Sequence, residues 1–260
     1  MVNKMDNKTI EQIVSQEIVE KILHEYLEHA VSSISDRIGI SEPAEKNIAG
    51  KIDHTLLRPD AIPGEINSLC DEAKQYNFAS VCVNPIYVSQ CYELLKNSGV
   101  KVCTVIGFPL GANTTEAKKF EAEQSVKNGA SEVDMVINIG MLKSGNYGFV
   151  FNDVSQVVSV AKKNNAICKV VLETSLLTDD EKIKACLLCK EAGADFVKTS
   201  TGFNARGANA NDVALMKYVV GNSIGVKAAG GIRTRKDAET MIASGADRIG
   251  TSSGVKIVTT

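Results

Sequence analysis

Hydrophobic positions along this chain fall into two regimes. From Thr9 to Ile34 they recur at Ile10, Ile13, Val14, Ile18, Ile22, Leu23, Leu27, Ala30, Val31 and Ile34, the i, i+3, i+4 rhythm of an amphipathic helix. Thr9 followed by Gln12 has the form of a capping box at its start. The next stretch, SSISDRIGISEPAEKNIAG, breaks the period with Ser, Gly and Pro and reads as a linker. The expected division is a helical leader and linker over residues 1–48 and a body over residues 49–260, with the leader packed on the body or on a partner chain.

Beyond Lys51, short β-branched runs alternate with helical patterns. Strands are expected at Lys51–His54, Ser80–Val83, Lys101–Ile106, Glu132–Ile137, Cys168–Glu173, Phe196–Lys198, Val226–Ala229 and Arg248–Gly250. Amphipathic helices fit between them, for example at Glu65–Tyr76, Glu116–Lys127, Asp180–Glu191 and Asp237–Ala243, each closing near Gly or Asn. Strict alternation implies parallel strands joined by right-handed crossovers. Eight such units in this length favour an α/β fold, a closed TIM (β/α)8 barrel with an N-terminal helical extension, over an open doubly wound sheet.

Composition narrows the partners. With 44% hydrophobic and 23% charged residues the chain can bury a full core. A formal net charge of -2 supplies no global positive field, which argues against nucleic acid or an anionic membrane, so any anion needs a local site. MVNKMDNKTIEQ lacks the apolar stretch of a signal peptide, and no run is long enough to span a bilayer. A cytoplasmic location is therefore expected, and seven scattered cysteines fit reduced thiols better than a disulfide framework.

A weak repeat directs attention to two lysines. Asn128-Gly129-Ala130, Ala192-Gly193-Ala194 and Ser244-Gly245-Ala246 each stand where a helix should end and a strand begin. Five residues on from each glycine lie Asp134, Lys198 and Gly250, expected near the C-terminal strand ends where barrel active sites are built. The structural alternative is a plain salt bridge between Asp134 and Lys198. A second lysine, Lys227, ends the neighbouring strand, so two ammonium groups should face one another. Like charges at close range, with partial burial, make one lysine shed its proton unusually easily. The requirement is large: an ordinary lysine, near pKa 10.4, is less than roughly 0.1% neutral at pH 7. A neutral amine there can attack a carbonyl and form a Schiff base.

Gly230-Gly231 after the seventh strand and Gly250-Thr251-Ser252-Ser253-Gly254 after the eighth occupy the two loops that often hold phosphate in such barrels. The order G-x-G-x-x-G and the Walker sequence are both lacking, so no nucleotide cofactor is indicated.

Taken in order, KIDHTLL, SVCVNP, TVIGFPLG, EVDMVINIG, KVVLETSLL, ADFVKTSTGF, GVKAAGGIRT and RIGTSSG resemble the deoxyribose-phosphate aldolase family across nearly all of Lys51 to Gly254. The resemblance implies a TIM-barrel Schiff-base aldolase without cofactor or metal that cleaves 2-deoxyribose 5-phosphate reversibly to acetaldehyde and glyceraldehyde 3-phosphate. It implies that Lys198 forms the imine, that Lys227 lowers the pKa of Lys198, and that Asp134 helps shuttle protons through a bound water. It further implies contacts from Asp53, Leu57 and Cys82 at the mouth, from Thr201, and from Gly230, Gly231, Gly250, Ser252 and Ser253 around the phosphate.

Two departures stand out. After TGF comes Asn204-Ala205-Arg206-Gly207, less glycine-rich than is usual in bacterial members, with Arg206 as an extra phosphate contact. Some members also end in a tail whose tyrosine reaches the site, whereas here the last tyrosine is Tyr218, so tail-assisted proton transfer is expected to be replaced or absent.

Other features point elsewhere. His24 and His29 resemble a zinc motif with one residue too many, so the rings diverge by roughly 140° on a helix. Cys186 and Cys189 read as core, His54 as packing or support, Lys169 as a solvated residue at the far end of the barrel, and Glu173 as a candidate for the polar network at the mouth. Two alternatives remain: another sugar-phosphate barrel enzyme, such as an isomerase or metal-dependent aldolase, and a non-catalytic protein whose leader binds a partner. Three histidines, none clustered at strand ends, speak against the metal version. The leader's apolar stripe and the habit of barrel enzymes to associate make a homodimer an expectation.

Overall fold

A computed structural model describes residues 5–36, 47–204 and 206–260, with residues 29–36 described by backbone alone. In chain order the elements are α1 (Asn7–Ile13), α2 (Gln16–Asp36), β1 (Ile52–Leu56), α3 (Pro63–Tyr76), β2 (Ser80–Val83), α4 (Val88–Leu95), β3 (Lys101–Ile106), α5 (Thr115–Lys127), β4 (Glu132–Val136), α6 (Ile139–Lys143), α7 (Tyr147–Lys163), β5 (Ile167–Val171), α8 (Asp179–Glu191), β6 (Phe196–Lys198), α9 (Ala210–Val220), β7 (Gly225–Ala229), α10 (Arg235–Ala243), β8 (Arg248–Thr251) and α11 (Gly254–Thr259). The strands close in sequence order into a parallel barrel, with β1 hydrogen-bonded to β8. This is the TIM barrel expected from the alternation, and each strand lies within two residues of its expected bounds.

Strand alternation divides the core in two. Val81, Val133, Met135, Val170, Val197, Val226 and Ile249 belong to the large apolar cluster that also holds the buried helix faces. The intervening positions turn into the barrel. There a small apolar cluster, Leu57, Cys82, Cys103 and Val105 with Phe108 against it, shares the space with charged side chains.

The three glycine-containing junctions fix where these inward positions fall. Gly129, Gly193 and Gly245 have φ of 107°, 80° and 105°, the left-handed turn that glycine adopts cheaply. The alanine after each donates its N–H back into the helix it leaves, to Ser125, Cys189 and Met241. The next residue then bonds the preceding strand: Ser131 N–H to Val102, Asp195 N–H to Cys168 and Asp247 N–H to Val226. Asp195 and Asp247 also accept the N–H of Cys168 and Val226 on their carboxylates, at 2.8 and 2.9 Å. Chain direction, hydrogen-bond register and side-chain facing are thus set together at the start of β4, β6 and β8.

The leader forms two helices rather than the single helix expected. Asp6, not Thr9, caps the first, its carboxylate accepting Thr9 N–H at 2.8 Å. Geometry accounts for the break at Val14 and Ser15: in one straight helix Val19 would stand roughly 140° around from Val14, and only one of them could face the barrel. With the break, Ile10, Val14 and Val19 are all buried in the main core. The helix α1 lies on α7 and α8, and α2 on α8 and α9. Gln16 reaches Asp180 at 3.2 Å and Lys184 reaches Gln16 at 3.3 Å. Most of the expected linker, residues 37–46, lies outside the described residues.

Replacing Ile10 by Ala is expected to loosen the leader by about 2–5 kcal/mol, the usual cost of emptying a buried isoleucine site. Amide hydrogen exchange should accelerate across Asn7–Ile13 while the barrel strands keep their protection.

Candidate active site

The barrel interior carries an ion network built on one carboxylate. Asp134, fully buried on β4, accepts from three lysines. Its Oδ1 lies 2.8 Å from Lys169 Nζ, and its Oδ2 lies 2.8 Å from Lys198 Nζ and 2.7 Å from Lys227 Nζ. Lys198 and Lys227 are register partners on β6 and β7 and share a single oxygen. Thr199 reinforces that seam, donating to Ala229 O at 3.2 Å while accepting Ala229 N–H at 3.1 Å. Below them, Lys227 pairs with Asp53 at 2.6 Å and Lys169 with Glu132 at 2.6 Å. Arg248 joins Asp53 to Glu132, reaching the latter at 3.0 Å.

Lys169 overturns its sequence reading. It sits mid-strand on β5, wholly buried, and the alternation along the strand turns it inward to three carboxylates, the farthest being Asp53 at 3.8 Å. Glu132 and Arg248 were missed as well. The available signal was their phase, Glu132 two residues before Asp134 in EVDMV and Arg248 two before Gly250 in RIG, since residues two apart face the same side of a strand.

The electrostatics follow from burial competing with pairing. Burial would raise the Asp134 carboxyl, but Lys169, Lys198 and Lys227 outweigh it and hold it well below the usual carboxylate range. Asp53 behaves alike, with Lys227, Lys169 and Arg248 overcoming burial. Burial would lower Lys227, yet Asp134 and Asp53 push it above an ordinary lysine, and Asp134 with Cys103, Glu132 and Asp53 does so for Lys169. Among the described residues of this network, three carboxylates (Asp53, Glu132, Asp134) meet four cationic side chains (Lys169, Lys198, Lys227, Arg248). One positive charge is in excess.

Above the network a cavity of about 300 Å³ opens at the C-terminal ends of the strands. Lys198 forms its floor; Leu57, Thr201, Gly230, Gly231, Gly250 and Ser252 are on its walls, with Arg58, Phe203 and Arg233 around them. Lys227, Asp134, Asp53 and Cys82 lie buried and do not line it, and Ser253 stands beside it, donating its N–H to Thr251 Oγ1. Glu173 does join the polar mouth. Its backbone is left-handed at φ 57°, and its Oε2 accepts Thr201 Oγ1 at 2.5 Å and Thr201 N–H at 3.1 Å, pinning the turn after Lys198. Arg206 is not at this cavity. It borders a separate groove with Ser175, Asp179 and Asp212, so the extra phosphate contact expected of it is corrected. His54 points to the outer layer, paired with Glu72 at 2.6 Å and against Phe78. His24 pairs with Glu28 on the exposed leader, and the side chain of His29 lies outside the described residues.

A lysine that lines a polar cavity and shares a carboxylate oxygen with a second lysine can carry amine chemistry on a carbonyl. Residues 48–259 match the family model described as DeoC/LacD family aldolase, and the chain belongs to that family. It is 61% identical over 213 residues to the deoxyribose-phosphate aldolase of Thermoanaerobacter sp. (strain X514), covering 82% of this chain and 96% of the relative. The same identity over 214 residues relates it to the deoxyribose-phosphate aldolase of Geobacillus sp. (strain WCH70), with the same shares. Among solved structures, the tetrameric deoxyribose phosphate aldolase from Aeropyrum pernix superposes with a TM-score of 0.77 at 38% identity, over 82% of this chain and 89% of that one.

The network sets a pH profile for stability. Carboxyls held below their ordinary values contribute stability that is present above about pH 5 and is lost as pH falls from there. Lysines held above theirs contribute fully below about pH 10 and lose that contribution as pH rises. The urea midpoint is expected to be level with respect to these groups from about pH 5 to about 10 and to fall on both sides. A second expectation concerns Gly207, where an added Cβ would stand 2.1 Å from Gly230 O. Gly207→Ala should displace Gly230 on the cavity wall and raise KM for a phosphorylated substrate several-fold more than it lowers kcat.

Proposed function

We propose that this protein catalyses the reversible retro-aldol cleavage of 2-deoxy-D-ribose 5-phosphate to acetaldehyde and D-glyceraldehyde 3-phosphate through a Schiff base on Lys198. The observation that carries this reading is the single oxygen, Asp134 Oδ2, in contact with both Lys198 and Lys227 beneath the cavity. Lys227 and Lys169 are each held by two or more carboxylates, whereas Lys198 touches one carboxylate and faces the cavity. The Lys198 amine is therefore the nucleophile.

Attack on the open-chain aldehyde gives a carbinolamine, and loss of water gives the iminium. The bond between the second and third sugar carbons then breaks: the third-carbon hydroxyl loses its proton, glyceraldehyde 3-phosphate departs as an aldehyde, and the electron pair passes into the enamine. Protonation of the enamine carbon and hydrolysis release acetaldehyde and free Lys198. Asp134, bridging both lysines through one oxygen, is placed to relay these protons. Gly230, Gly231, Gly250 and Ser252, with Arg58 and Arg233 nearby, suit the phosphate. Ser253 holds that turn, while Asp53 acts beneath the cavity by pairing Lys227.

No metal or cofactor enters these steps. Among the described residues no helix is long and apolar enough to cross a membrane. Seven free thiols fit a reducing cytoplasm. The expected homodimer draws less support from the leader, whose buried stripe lies on its own barrel, although Ile18 and Leu27 remain exposed.

Borohydride reduction in the presence of deoxyribose 5-phosphate should add the mass of a reduced two-carbon or sugar-phosphate imine to Lys198. An adduct on another residue, or full retro-aldol activity in Lys198→Arg, would overturn the assignment. Asp134→Asn is expected to lower kcat by about 10²–10⁴-fold, the range for loss of a positioned acid–base group.

A further inference from the structure

Two thiols stand beside the network and take no part in the steps above. Cys82 and Cys103 are register partners on β2 and β3, both inward and both wholly buried. The two sulfurs and an oxygen of Asp134 all lie within 4.8 Å of one another. Cys103 Sγ is also in polar contact, 3.1 Å from Asp134 Oδ1 and 3.3 Å from Lys169 Nζ. Such surroundings differ from those of Cys186 and Cys189, which are buried in the apolar core.

We infer that Cys82, Cys103 and Asp134 form a binding site for a thiophilic divalent cation, zinc or cadmium, and that its occupation switches the enzyme off. Two thiolates and a carboxylate are a donor set such cations favour, and three protein ligands leave a fourth position open. A tetrahedral zinc with Zn–S bonds of about 2.3 Å places its sulfurs about 3.8 Å apart, so the two sulfurs need to close by no more than about 1 Å. Binding breaks two S–H bonds and forms two metal–sulfur bonds, both protons leave to solvent, and no electron is transferred. A dication thus replaces two protons and the charge of the interior is unchanged, which removes the main cost of placing a metal there.

Leu57 stands between the thiols and the cavity. It belongs to the same small cluster as the two cysteines and lines the cavity. Coordination would draw Asp134 away from Lys198 and Lys227, so the inhibitory half of the inference rests on the proposed function, whereas binding itself does not.

Cadmium titration of the full-length protein tests both halves. One equivalent is expected to produce a thiolate-to-cadmium charge-transfer band in the ultraviolet and a parallel loss of retro-aldol activity. Cys103→Ala should abolish the band. The Cys70 thiol, hydrogen-bonded to Cys91, has no carboxylate among its side-chain hydrogen-bond partners, so Cys70→Ala should keep band and inhibition. Absence of a stoichiometric band in the wild type, or a band that survives in Cys103→Ala, overturns the site. A band lost in Cys103→Ala without loss of activity in the metal-loaded wild type overturns the switch alone.

Discussion

The interior of this barrel is organised by the need to neutralise charge where water is scarce. Ionised groups are costly to bury unless matched, and a network with one partner removed is worse than none. Asp134 is the hinge of that balance because three lysines converge on it. Among the described residues of the network, Lys198 has the fewest carboxylate partners and lines the cavity.

This arrangement explains the strand sequences. A parallel barrel strand covered by helices outside and packed inside ordinarily reads as a continuous apolar run. Here EVDMV, KVV, FVK, GVKAA and RIG interleave charges with β-branched residues. The β-branched set joins the helices, and the charged set meets at the centre. Fold and site are therefore written on opposite faces of the same few residues.

Much of this was legible in the chain. Strand positions followed from alternation, and the glycine junctions placed Asp134 and Lys198 correctly enough to bring their side chains together. The position of Lys169 was not legible, because a lysine early in an apolar run reads as a solvated strand end unless its three counter-charges, on β1 and β4, are known. Arg206 was misplaced for a similar reason: its loop turns toward α8 and α9, which no local pattern announces. The break in the leader escaped because helical periodicity reports one apolar stripe, whereas docking on a curved helical surface required two directions.

The helix-to-strand junctions carry one more implication. They clamp the bottom of alternate strands with backbone and carboxylate bonds, while Lys198 and the loops that line the cavity occupy the top. Anchorage and chemistry thus sit at opposite poles of the barrel. Evolution or an engineer can rewrite the rim to admit a different aldehyde while the lysine pair keeps its phase, because the bonds that align the amines lie in the strands and their lower junctions.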